Sequence, residues 1–365
     1  MSLKKEIKIL LRLLFKREYS AEIDLMEYRI PNVPVKKIIN YCLIQINRFF
    51  EIPKVLGKPY KLQVEPMRGC NLKCPGCPAN KKNSRQRAGP LSLELFKKFI
   101  DSTEDCALFL TLWSWGEPFL NKNLPEMIRY AKSKNIAVVT STNANLLLNK
   151  EYNERVLKSG LDNLIVAVDG ASPETYGIYR KGGDFARVVK GIRLLVSQKK
   201  KLGLEKPAIN LRMVVTSYNE HEIKEIRQLA GKLGVDALTL KSVNPSLDSE
   251  TVNLSLIPKN KKYHRYEFSE ETGAIKKQER FKCTFPWAQT TMFSDGTIAA
   301  CEADVNASVK FGNLLKESFG SIWFGRKAEN FRKQFVKKKE AFRFCEKCSY
   351  RNMIIGSCTV EKVEI

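Results

Sequence analysis

The chain has 365 residues, with 63 Lys+Arg against 39 Asp+Glu, a formal net charge of +24, and 43% hydrophobic residues. That apolar share suffices to bury a core and excludes global disorder; the length suits one large or two ordinary domains. Ten cysteines are too sparse for a small disulfide scaffold, yet several are clustered, which reads as metal or cofactor ligation in a reducing compartment.

The amino-terminal stretch has no long apolar segment and no small-residue cleavage site, so a secretory signal is not expected and the setting reads as cytoplasmic. Apolar runs at 9–11 and 13–15 are interrupted by charge and fall far short of the ~20 residues that span a bilayer. Lys8, Arg12 and Lys16 recur every four residues, opposite Ile7, Leu10, Leu11 and Leu14. A second apolar and basic stretch runs from 35 to 50. Residues 1–59 are therefore expected to form amphipathic basic helices. They either lie on the inner face of an anionic membrane or pack their apolar side on the main domain.

From 60 to 241, β-rich runs alternate with helical patterns. Strands are expected at 62–66, 108–113, 137–141, 164–169, 209–216 and 237–241. Helices are expected at 93–102, 124–134, 150–159, 185–199 and 220–233. Strands separated by single helices predict an α/β fold with a parallel sheet. The run Leu164-Ile165-Val166-Ala167-Val168 suits a strand buried on both faces. An open doubly wound sheet and a partial barrel both fit, and both put chemistry at the carboxyl ends of the strands. Residues 242–282 read as a polar connector. Residues 283–365 hold five of the ten cysteines and read as a smaller domain organised around a ligand.

Cys70, Cys74 and Cys77 follow the first expected strand with the spacing C-x3-C-x2-C. Three thiolates on one loop can converge on an iron–sulfur cluster, leaving one iron open to a further ligand. A zinc site would need a fourth ligand, and the chain's two histidines, His221 and His264, lie far away in sequence.

This arrangement resembles the radical S-adenosylmethionine (radical SAM) superfamily. The resemblance implies a partial (β/α)6 TIM-like barrel and a [4Fe-4S] cluster held by Cys70, Cys74 and Cys77. It further implies SAM on the fourth iron, cleaved to a 5′-deoxyadenosyl radical that abstracts hydrogen. Trp115-Gly116-Glu117-Pro118 resembles the family's GGEP motif, and Ser141-Thr142-Asn143-Ala144 its T-N-G. Val168-Asp169-Gly170 with Tyr176, Arg180, Gly182, Gly183 and Phe185 resembles its S-x-D-G…Y…R-x-G-x-F stretch. By that resemblance Gly116, Glu117, Pro118, Ser141, Asn143, Asp169 and Arg180 contact SAM. Trp115, Ala144 and Gly76 depart from the pattern, and none of these removes a ligand.

Cys283, Gly296, Cys301 and the pair Cys345-x2-Cys348 resemble the SPASM/twitch extension of the same superfamily. The full SPASM pattern has seven cysteines. Ile354 stands where one further cysteine is expected and Cys358 where another is. The resemblance implies one auxiliary [4Fe-4S] cluster on Cys283, Cys301, Cys345 and Cys348, with Cys358 as an alternative ligand and tetrathiolate zinc as the competing reading. Cys42 and Cys106 read as buried apolar residues.

An auxiliary cluster with four protein ligands has no open iron and is suited to accept an electron. The expected reaction is oxidation or rearrangement of a small polar, sugar- or cyclitol-like molecule, with flavodoxin or ferredoxin as reductant. The alternatives are a peptide or protein substrate, and a lipid or lipid-linked one at a membrane. The charge alone does not argue for nucleic acid, because no basic and aromatic binding module accompanies it.

Overall fold

The computed structural model describes residues 3–75, 77–80, 89–244, 254–269, 275–276, 283–346, 348, 350–354 and 357–365. It opens with α1 (Leu3–Lys16), a hairpin of β1 (Tyr19–Ile23) and β2 (Met26–Ile30), and α2 (Val35–Phe49). The hairpin was not expected. Its two-residue turn is Asp24-Leu25, with φ of 55° and 60°. Such turns usually advertise themselves through Gly or Asn, and here neither is present.

The strands that follow are β3 (Lys61–Val64), the short pair β4 (Met67–Arg68) and β5 (Gly89–Pro90), then β6 (Phe109–Thr111), β7 (Ala137–Thr142), β8 (Asn163–Ala167), β9 (Ala208–Val215) and β10 (Ala237–Ser242). Between them run α3 (Leu93–Thr103), α4 (Leu124–Ser133), α5 (Lys150–Leu157), α6 (Pro173–Tyr179), α7 (Phe185–Lys201) and α8 (Ile223–Leu233). Strands β3, β6, β7, β8, β9 and β10 pair in that order, all parallel. They form the partial barrel, and all six lie at the expected positions. The helix starts follow from local chemistry: Ser92, Asn149, Ser172 and Asp184 each accept a first-turn N–H with the side chain.

The carboxy-terminal residues extend this sheet at both edges. Strands β11 (Gln289–Met292), β12 (Thr297–Ala299) and β13 (Lys310–Asn313) add to the β3 edge, with β11 parallel to β3. Strand β14 (Thr359–Glu364) adds antiparallel to β10. The result is one ten-stranded sheet. Helices α9 (Phe285–Ala288), α10 (Phe319–Trp323), α11 (Arg326–Lys337) and α12 (Arg343–Glu346) complete this part. Buried Trp287 and Trp323 donate to the carbonyls of Ile52 and Gly57, at 2.8 and 2.9 Å, locking it onto the segment after α2.

The hairpin fills the hollow of the partial barrel. Tyr28 packs edge-on to Phe109 of β6 at 5.3 Å, while Asp24 pairs with Arg212 of β9. Those two strands are separated by β7 and β8, so one hairpin touching both crosses the concave face. At its tip Asp24 also accepts from Thr359 Oγ1 at 2.6 Å and lies 3.7 Å from Lys241 Nζ. Burial alone would raise the Asp24 carboxyl, but these cations outweigh it and hold the group well below the usual range.

Candidate active site

The first cysteine loop is held by backbone contacts that only glycine permits. Gly69 and Gly116 form an isolated bridge, and Glu117 N donates to Gly69 O at 2.9 Å. A Cβ on Gly116 would lie 2.0 Å from Met67 O, which explains glycine there. Farther along, Lys73 N donates to Lys181 O at 2.8 Å, tying the loop to the segment after α6. Burial is the main influence on all three thiols and pushes them up, Cys77 to about 11, and each of Cys70 and Cys77 also feels Cys74. Asn143 Nδ2 lies 3.6 Å from Cys70 Sγ, and Arg180 Nη1 3.9 Å from Cys74 Sγ.

The expected motif residues form a connected shell around this loop. Glu117 is 2% exposed; its carboxylate accepts from Asn143 N at 2.7 Å and Phe119 N at 3.0 Å. Burial raises its pKa, and those N–H donors oppose the rise. Pro118 opens the 3-10 turn Pro118–Leu120 that follows. Asp169, fully buried, accepts from Arg180 Nε at 2.6 Å and Val214 N at 2.7 Å. Burial works against the Arg180 charge, but Asp169 and Cys74 overcompensate and raise its pKa. Ser141 is half-buried in β7, and Ala144 has φ 66°, the left-handed region that explains a glycine at this position in the family pattern.

Two asparagines were missed. Asn71 Oδ1 accepts from Asn143 Nδ2 at 2.8 Å, and Asn145 Nδ2 donates to Tyr176 OH at 3.0 Å. Their adjacency to motif residues was the available signal, but asparagine is common in any turn.

The second cysteine group is assembled from three places: Cys283 before α9, Cys301 after β12, and Cys345 in α12 with Cys348 just beyond. Their thiols lie within electrostatic reach of one another: Cys283 feels Cys348, Cys301 feels both, and Cys345 feels Cys283 and Cys348. Burial pushes all four up, Cys283 and Cys345 to about 12. Cys358 is buried just before β14; its carbonyl accepts from Ser242 N at 2.8 Å and Ser242 Oγ at 2.9 Å, and Tyr266 lies within electrostatic reach of both Cys348 and Cys358. Cys106 is buried and Cys42 half-buried.

Both groups fit iron–sulfur clusters by donor chemistry: thiols without histidine, each buried or half-buried. Among the described residues no three Cys, His, Asp or Glu side chains converge as ligands of one metal ion. A cubane binds its thiolates through different irons and does not ask for that convergence.

The two groups are joined physically. Trp115 Nε1 donates to Glu302 O at 3.1 Å, and Arg68 Nη2 donates to Val305 O at 2.7 Å. Trp115, a departure from the family motif, thus braces the loop after Cys301 against the first site. Glu302 in turn accepts from Tyr350 OH at 3.5 Å and feels both Lys241 and Asp24.

A partial barrel carrying three clustered cysteines after its first strand, with a second cysteine group on its flank, is the architecture of an iron–sulfur enzyme. The chain carries a radical SAM superfamily domain, matched over residues 64–230, and an iron–sulfur cluster-binding SPASM domain, matched over residues 283–349. These domains imply SAM and iron–sulfur clusters as its cofactors.

The chain is 26% identical over 325 residues to the tungsten-containing aldehyde ferredoxin oxidoreductase cofactor-modifying protein of Pyrococcus furiosus, covering 80% of this chain and 87% of that one. It is 24% identical over 327 residues to the AdoMet-dependent heme synthase of Oleidesulfovibrio alaskensis, covering 80% and 81%. Among solved structures, Streptococcus suis SuiB bound to S-adenosylmethionine shares the fold with a TM-score of 0.60 at 16% identity, over 91% of this chain and 78% of that one. The anSMEcpe structure with bound AdoMet gives 0.51 at 17% identity, over 79% and 89%. Among the described residues no helix is long and apolar enough to cross a membrane.

Proposed function

We propose that the enzyme oxidises or rearranges a small polar molecule of sugar or cyclitol type, held between the two cysteine sites. One observation carries this reading. A cluster of charged side chains lies between the hairpin and the strands: Asp24 pairs with Arg212 of β9 and lies near Lys241 of β10, and Glu302 beside Cys301 feels both Lys241 and Asp24. Such a cluster suits a substrate rich in hydroxyls or carrying charge, and disfavours an apolar one.

When bound, SAM and its cluster supply hydrogen abstraction from an unactivated C–H bond, and the second cluster supplies an electron acceptor. The protein's part is positioning. Asp169 fixes the Arg180 guanidinium beside Cys74, so a positive charge faces the first cluster site. Asn143, oriented by Asn71, presents its amide to Cys70. Glu117 couples the loop after β6 to that after β7, keeping the proposed SAM contacts Gly116, Pro118 and Ser141 in one rigid frame. The hairpin crosses the concave face of the barrel and brings Asp24 to Arg212 and Lys241.

A peptide is the alternative substrate. It is supported by a solved neighbour of the same fold, SuiB bound to its precursor peptide, with a TM-score of 0.60. Flavodoxin or ferredoxin is the proposed reductant in either case.

The test uses the folded Cys345→Ala, Cys348→Ala variant, assayed anaerobically with dithionite, SAM and a panel of polyols and peptides. It is expected to form 5′-deoxyadenosine like the wild type, with little oxidised product. Normal product yield removes the electron-acceptor role. Stimulation of 5′-deoxyadenosine formation by peptides alone removes the small-molecule reading.

A further inference from the structure

The structure separates two apolar faces on each amino-terminal helix. On α1, Ile9 and Leu13 are buried against the protein, while Ile7, Leu11, Leu14 and Phe15 face outward. On α2, Ile38, Tyr41 and Ile44 are buried, while Val35, Ile39, Ile46 and Phe49 form an outward stripe at helical spacing. Phe50 follows directly, its ring 5.0 Å from that of Phe49. The exposure is large where it counts: 82% for Phe15, 78% for Phe49 and 67% for Phe50. Inward packing on the main domain is therefore real, but it uses only one side of each helix. The helices are neighbours, joined by Glu6 and Arg48 at 2.7 Å.

The charges around these stripes choose the occupant. Lys8, Lys16 and Lys36 are exposed, and among the described residues none of them forms an ion pair with an acid. Arg12 is different: it is spent on Glu18 at 2.9 Å and Glu27 at 3.4 Å, so the row of three cations read from the sequence is a row of two free ones. Glu6, the acid of α1, is neutralised by Arg48. A shallow groove lined by Ile7, Leu11 and Phe15 is thus rimmed by Lys8 and Lys16. In a two-fold dimer through this face, unpaired lysines would meet their own copies. An anionic bilayer surface satisfies both features, taking the aromatic and aliphatic side chains into its interface and the ammonium groups at its headgroups.

We propose that α1 and α2 dock the enzyme on an anionic lipid surface, lying in its plane. This is independent of the substrate. Deleting residues 1–17 is a poor test, because Ile9 and Leu13 belong to the core. Surface variants avoid that problem. The holoenzyme is sedimented with vesicles of equal parts phosphatidylglycerol and phosphatidylcholine at low salt. Binding is expected, with loss in raised salt and on phosphatidylcholine alone. Phe15→Glu and Phe49→Glu, with unchanged unfolding, should each weaken it about tenfold. Lys8→Glu, Lys16→Glu together should weaken it at least as much. Absence of wild-type binding to the anionic vesicles overturns the proposal, as does binding indifferent to all these variants. A concentration-dependent dimer abolished by Phe15→Glu, without vesicle binding, would assign the face to a second copy instead.

Discussion

The two cysteine sites solve the same chemical problem at different distances along the chain. Cys70, Cys74 and Cys77 sit on one loop after one strand, and polar side chains from the neighbouring strand ends, Asn143 and Arg180, reach their sulfurs. Cys283, Cys301, Cys345 and Cys348 come from the added sheet edge and from α12. Around them the described donors to sulfur are backbone amides, such as Ala303 N on Cys301 Sγ at 3.5 Å. The first site is furnished for a further polar ligand. The second has backbone amides in that place, as the proposed closed cluster would need.

The sharpest way to break this comparison is to empty the first site. Cys70→Ala, Cys74→Ala, Cys77→Ala together should lower iron from about eight to about four per chain and abolish 5′-deoxyadenosine formation. Iron analysis after anaerobic reconstitution reads it. A wild-type count near four would mean that the dispersed site does not hold a cubane.

A smaller effect tests the joint between the regions. Glu65 follows β3, is fully buried, and accepts from Ser294 N at 3.3 Å across the junction with β11. Burial raises its carboxyl to about 7 from 4.5, against the pull of Arg68. The folded state therefore holds the proton more tightly than the unfolded one. The stability this contributes is full below pH 4.5 and is lost as pH rises through about 7. The expected loss is about 3 kcal/mol across that window. Glu65→Gln should abolish the slope and be the more stable protein above pH 7, by denaturant unfolding at several pH values. An unchanged slope would assign it to other groups.

The smallest effect concerns the brace itself. Trp115→Phe keeps a ring but removes the donor to Glu302 O, costing about 1 kcal/mol. Product yield per 5′-deoxyadenosine should fall severalfold while 5′-deoxyadenosine formation itself changes little. An equal fall in both would place Trp115 wholly within the first site.

The amino-acid order by itself determined the repeating part of this protein. Short β-rich runs alternating with helical patterns placed all six parallel strands, because a strand buried on both faces needs a nearly unbroken apolar run. Cys70, Cys74, Cys77, Glu117, Asn143 and Asp169 were legible because the fold puts them directly after those strands. The hairpin was not legible: Asp24 and Leu25 adopt positive φ without glycine, and what holds that tip is Arg212, 188 residues away. Only the tertiary structure decided that the carboxy-terminal residues continue the barrel sheet at both edges, since pairing of β11 with β3 and β14 with β10 depends on strand edges left open elsewhere. It decided likewise that Trp115 links the two cysteine sites, and that Arg12 spends its charge on Glu18 and Glu27. The sheet edges and the Trp115 link rest on contacts between residues far apart in the chain, and Arg12 reaches Glu27 because the hairpin folds back beside α1; periodicity and spacing encode neither.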